Sequence, residues 1–205
     1  MSELDAYDSL LIEEAHDLCR TFNLTPKVRR LFWIDRMFWS KVNSDECSFG
    51  TKIVLFPDRM KGRLEPEEWK PIMASSLVFK KILVKNMPAS YLVALPVLFV
   101  VSLIGAGIST LLGNYQSLFF LLFILLVDGP ILMNAIARAM KKRRLEADVE
   151  VAKVLGRDQF LKVLSKIEGL GLDDVVRRTE KRGIGRHFSG KPSIPERIAN
   201  LSAKT

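Results

Sequence analysis

The run NMPASYLVALPVLFVVSLIGAGISTLLGNYQSLFFLLFILLV, residues 86–127, contains no Lys, Arg, Asp or Glu. One membrane span needs about 20 apolar residues, so a run of this length reads as two spans joined by a tight turn. The spans are placed at 89–112 and 117–137, with Gly113-Asn114-Tyr115-Gln116 between them. Lys80, Lys81 and Lys85 precede the first span, and Arg138, Lys141, Lys142, Arg143 and Arg144 follow the second. Positive charge on both outer flanks and none in the linker places both remaining parts on the cytoplasmic side. The expectation is a multi-pass cell-membrane protein with both termini cytoplasmic and the lipid bilayer as its first partner.

Composition fits this segregated layout. The chain has 205 residues, 48% hydrophobic and 26% charged, with a net charge of +8. The basic residues cluster beside the spans, so the charge reads as flank charge and no nucleic-acid partner is expected. Met1 to Glu14 is acidic and polar, without the basic flank and apolar stretch of a signal peptide, so insertion is expected to use the internal spans. Cys19 and Cys47 have neither CxxC nor Cys/His ligand spacing and are expected to be free, reduced thiols.

Outward from the spans, Leu4 to Phe22 carries Leu4, Leu11, Ala15, Leu18 and Phe22 at helical spacing. That helix should stop near Asn23, ahead of Thr25-Pro26. Val28–Phe38 reads as β structure around Leu31-Phe32-Trp33-Ile34, Asn43–Glu46 as a turn, and Cys47–Phe56 as a further strand. Leu64-Glu65-Pro66-Glu67-Glu68 has the proline and acids of a helix start, and the helix should run through Phe79. After the spans, Ala139–Leu155 and Asp158–Ile167 read as helices, Gly169–Gly190 as a basic loop, and the end as a helix with Ser193 as N-cap.

Two features inside the expected spans attract attention. Ser102, Gly105, Gly107 and Ser109 would let helices approach closely, either span on span or against a homo- or hetero-oligomeric partner. Asp128 would be a carboxylate at membrane depth and so a binding candidate. Equally, Gly129-Pro130 could kink the helix and leave Asp128 to water or to the freed backbone.

The order of elements resembles the HtpX-type membrane metallopeptidases, the family that also includes the CAAX prenyl proteases. Asn43–Phe49 is similar to that family's edge strand, and Ile53–Asp58 to the strand and turn that follow. Leu64–Trp69 is similar to the entry of the active-site helix. Arg143-Arg144-Leu145-Glu146-Ala147-Asp148 and Ser193-Ile194-Pro195-Glu196-Arg197-Ile198 resemble the segments after the spans. The resemblance implies an α+β, mainly helical fold: a zincin-like cytoplasmic domain with a small sheet, interrupted by the two-helix transmembrane hairpin. Residues 1–88 and 138–205 would be the two halves of that domain, and 89–137 the hairpin.

The chemistry of the family does not carry over. Its His-Glu-x-x-His zinc motif falls on Ser75, Ser76, Leu77, Val78 and Phe79, and its third ligand falls on Arg144. Both histidines, the general base and the glutamate ligand are replaced. No cofactor is expected, since zinc needs three protein ligands and an open position. His16 and His187 have no second ligand at suitable spacing. Arg144 and Asp148, four apart on a helix, could pair, with the guanidinium in the vacated metal position; equally, Arg144 could be an ordinary residue of the basic membrane flank. A Ser-Lys dyad of Ser75 or Ser76 with Lys80 or Lys81 is the other chemistry to weigh. Gly183-Ile184-Gly185 among basic residues could touch phosphate but reads as a solvated loop.

The functional expectation is therefore a catalytically inactive relative of these peptidases, working as a membrane-anchored binding, regulatory or complex-subunit protein, in the setting of protein quality control. Its partner would be a protein or an unfolded membrane-protein segment. Binding candidates are Phe49, Ile53 and Trp69 along the cleft, with Asp148 and Asp128. An active zinc endopeptidase, and a structural subunit acting through its spans, are the alternatives.

Overall fold

The computed structural model describes residues 3–24, 28–37, 40–86, 100, 104–111, 113, 116, 129–180 and 190–203. Helix α1, Glu3–Thr21, ends where Asn23 takes a left-handed φ of 50° and the Leu24 N–H reaches back to the Cys19 carbonyl at 2.8 Å. This is the hydrogen-bonded closure that satisfies a last-turn carbonyl. Strands β1 (Arg30–Trp33), β2 (Arg36–Met37), β3 (Ser40–Lys41), β4 (Ser48–Phe49) and β5 (Ile53–Phe56) follow. The main sheet has the order β1-β5-β4, with β1 parallel and β4 antiparallel to β5. The single strand expected over Cys47–Phe56 is in fact a hairpin, turned by Gly50-Thr51-Lys52, and it leaves β4 at the sheet edge.

A 3-10 turn, Pro66–Glu68, opens helix α2, Trp69–Asn86. Glu65 and Glu68 form a reciprocal capping box there, and Glu68 also holds Lys166 at 2.6 Å. The second half of the chain supplies α3 (Gly129–Leu155), α4 (Arg157–Gly169), α5 (Asp173–Glu180) and α6 (Ile194–Ala203). Gly156, at φ 94°, separates α3 from α4 in a conformation that side chains rarely adopt. Where a basic loop was expected, α5 forms because Asp173-Asp174 sit in its first turn and Arg177-Arg178 in its last, complementing the helix dipole. Residues 181–189, with His187 and the Gly183-Ile184-Gly185 motif, lie outside the described residues.

Both halves share one core. Leu11, Ala15 and Leu18 of α1 join Ile72, Met73 and Leu77 of α2, Ala147 and Val151 of α3, and Phe160, Leu164 and Ile167 of α4. On the sheet side Trp69 meets Phe56 edge-on at 4.7 Å and Trp33 at 6.1 Å. The Trp69 indole N–H donates to the Tyr7 hydroxyl at 3.2 Å, and that hydroxyl donates to the Leu64 carbonyl at 2.5 Å.

The expected transmembrane hairpin is corrected. Among the described residues no helix is long and apolar enough to cross a membrane. Residue 100 and residues 104–111 are helical. The C-terminal part of the second expected span, 129–137, lies in α3, which carries Arg138, Lys141, Lys142, Arg143 and Arg144 straight on from it. Ala137 is buried and, with Met140, lies against Gly190. Pro130 belongs to the helical residues from Gly129 onward. The fold is thus mainly helical with a small sheet. The multi-pass cell-membrane placement with both termini cytoplasmic falls with the hairpin. Residues 87–99, 101–103, 112, 114–115 and 117–128 lie outside the described residues, and Asp128 is one of them. Gly105 and Gly107 are exposed, with open space where a Cβ would stand.

Candidate functional site

The polar centre lies where α2, α3 and α6 meet, beneath the turn before β4. On α3, Arg144, Ala147, Asp148 and Val151 share one buried face, which α2 covers. On α6, the apolar stripe Ile194, Ile198 and Leu201 includes Arg197, which is fully buried. Arg197 binds Asp148 through Nε and Nη2, both at 2.8 Å. Its Nη1 donates to the Asp45 carboxylate at 2.9 Å and to the Asp45 carbonyl at 3.0 Å, and its guanidinium lies over the Phe160 ring at 5.4 Å. Asp45 also accepts from Arg178 of α5. Ser44 and Arg59 continue the chain of contacts through Asp174, at 2.7 and 3.1 Å.

Burial alone would raise the Asp45 carboxyl, but the Arg178 and Arg197 guanidiniums outweigh it and hold the group well below the usual carboxylate range. Burial would lower Arg197, but Asp148 and then Asp45 hold it above the ordinary arginine value. The sign of the stability effect follows. A carboxylate depressed in the folded state stabilises fully above its unfolded pKa of about 3.9, and the gain is lost as pH falls towards its folded value. In denaturant titrations, Asp45→Asn should therefore be less stable than the parent at pH 6, and the gap should close on acidification from about pH 5 to pH 2. A gap independent of pH would show that the Asp45 charge is not what stabilises the fold.

The four positions that the resemblance assigns to metal chemistry come together, but in other roles. Ser75 donates its hydroxyl to Asp148. Ser76 Oγ accepts from the Cys47 N–H and from Nη1 and Nη2 of Arg144, each at 3.3 Å. The Arg144 guanidinium lies over the Phe79 ring at 5.4 Å. The expected pairing of Arg144 with Asp148 is corrected: Arg197 already occupies both oxygens of Asp148, and Arg144 turns to Ser76 instead. A zinc ion does not fit this set, because two hydroxyls are engaged, one position is a phenyl ring and the fourth is a permanent cation.

The serine–lysine arrangement is not assembled either. Lys80 Nζ donates to the Phe49 carbonyl at 2.7 Å and Lys81 Nζ to the Phe22 carbonyl at 3.2 Å. Both cysteines are free and buried, and burial pushes the Cys47 thiol up to about 12. His16 holds the Val28 carbonyl.

Above Ser76 and Arg144 a cavity of about 470 Å³ opens between β4 and α2. Phe49 lines it, as do Phe79 and Leu83 of α2 and Met140 of α3. Trp69 does not: it is fully buried in the core. Ile53 is half-buried and covers Gly50, where a Cβ would meet its Cγ1 at 2.7 Å. Arg197, Asp45 and Arg178 are the polar residues that sequence reasoning passed over. A lone arginine inside the apolar stripe of α6 was the available signal for the first.

Comparison with family models, with curated proteins and with solved structures found no match for this chain. The metallopeptidase description accordingly has no support beyond the sequence resemblance.

Proposed function

We propose that this protein is a catalytically inactive binding or regulatory protein, whose cleft between β4 and α2 receives a segment of a partner protein. The observation that carries this reading is the Arg144 guanidinium between Ser76 and Phe79, at the floor of a largely apolar cavity beside a sheet edge. It puts a fixed positive charge where the resembling peptidases need a Lewis acid and a general base. Among the described residues strand β4 pairs only with β5, so strand addition on its other side, a common mode of binding extended chains, would replace the Lys80 contact to the Phe49 carbonyl.

The test is metal analysis of the purified protein together with casein cleavage, with and without added zinc. We expect no stoichiometric zinc and no chelator-sensitive cleavage. One zinc per chain with chelator-sensitive cleavage would overturn the reading and make the protein a working endopeptidase.

A further inference from the structure

The two buried arginines, Arg144 and Arg197, and the half-buried Arg178 are not alike. Arg178 and Arg197 are matched to Asp45, and Arg197 also to Asp148. Arg144 is 4% exposed, and among the described residues no carboxylate lies within ion-pair distance of it. Its two contacts to Ser76 are long for charge-assisted bonds, and its Nε has no partner. A hydroxyl cannot neutralise a desolvated guanidinium, so the folded protein keeps a buried charge that an anion would relieve.

The cavity offers the place for that anion. Among the described residues, Lys80, Arg144 and Lys191 line it against a single carboxylate, Glu46, which is itself held by Lys191 and Asn43 at 2.7 and 3.0 Å. The rest of the wall is mostly apolar. Along one side runs β4. The Gly50 N–H donates to the Ile53 carbonyl at 2.8 Å, so by alternation the Phe49 N–H and carbonyl point away from β5. Lys80 confirms the direction by bonding that carbonyl. The inner end is closed by Ser76 and Arg144, both nearly fully buried, so a chain seated on the guanidinium cannot continue past it.

We infer that the cavity takes the C-terminal end of an extended partner chain. The terminal carboxylate would sit on Arg144, the last apolar side chain among Phe49, Leu83 and Met140, and the backbone beside β4. This rests on the binding reading above and names the chemistry the cleft selects. A carboxylate, an apolar side chain and a strand-forming backbone occur together at a peptide C-terminus.

The test uses the full chain and a mixture of N-acetylated hexapeptides whose last three positions are randomised over Ala, Val, Leu and Phe. One pool ends in free acids and the other in amides, and retention is read by mass spectrometry. The free acids should be retained at least about tenfold better than the amides, as expected for loss of a charge-assisted bond. Arg144→Met should remove that preference without lowering the midpoint of thermal unfolding. Leu83→Trp should block both pools while Arg144 stays in place. Equal retention of acids and amides would overturn the terminal-carboxylate assignment and leave the cleft reading intact. Retention of decanoate but of neither peptide pool would make the site one for small carboxylates and overturn the peptide occupant. No retention of any of the three would overturn both, and cleavage of the peptides would overturn the inactive reading itself.

Discussion

Replacing Arg197 with Met should cost about 3–5 kcal/mol of folding stability, the usual consequence of leaving a buried charge without its partner. Three contacts to carboxylate oxygens would go at once, two to Asp148 and one to Asp45. Asp45 would keep Arg178. Asp148 would keep only the Ser75 hydroxyl, in a site with no accessible surface. Domains of this kind hold a total of about 5–15 kcal/mol, so the variant should unfold at much lower urea. The double variant Arg197→Met with Asp148→Asn should recover part of the loss, because it removes the stranded charge along with its partner. The network joins α6 and α5 to the turn before β4. Loosening it should therefore expose the Cys47 thiol to alkylation as well as lower the midpoint. A loss below about 1 kcal/mol, within the range of exposed ion pairs, would show that the network is incidental to the fold.

Trp69→Ala should cost about 3–5 kcal/mol as well, by a different cause, the cavity left by a large aromatic side chain. Trp69 is fully buried, packs edge-on against Phe56 and Trp33, and donates to Tyr7. Trp69→Phe should cost less, because a ring remains to fill most of the volume and only the indole N–H bond is lost, worth about 1 kcal/mol. The pair of variants also separates two roles for this residue. As a cleft residue, Trp69 could be truncated with little effect on stability and a marked effect on binding. As a core residue it should show the reverse, with peptide retention at the Arg144 cavity unchanged in Trp69→Phe.

The local elements were readable because local rules create them. The α1 stripe of Leu11, Ala15 and Leu18, the stop at Asn23, the Glu65–Glu68 helix entry and the short helix opened after Ser193 all follow from spacing and capping. The hairpin hidden in Cys47–Phe56 was less readable, because its turn, Gly50-Thr51-Lys52, lacks the dipeptide signals that usually mark one. The α5 helix was hidden by the glycines on either side of it. The expected spans follow from the uncharged run and its basic flanks, neither of which reports how the described residues Gly129–Leu155 form one helix from the apolar stretch into the charged half.

The candidate site divides in the same way. Residue identities along the chain were enough to show that Ser75, Ser76, Phe79 and Arg144 cannot assemble the zinc chemistry of the resembling peptidases, because ligand capacity belongs to the side chain itself. Which cation answers which carboxylate was decided only by the tertiary structure. Arg144 and Asp148 are neighbours on one helix, yet Asp148 is taken by Arg197, 49 positions away, and Asp45 by Arg197 at a separation of 152. Sequence spacing governs pairs on a helix surface, where both partners have water as an alternative. In a sealed core the pairing is set by which groups lose their water together, and that depends on the packing of α2, α3 and α6.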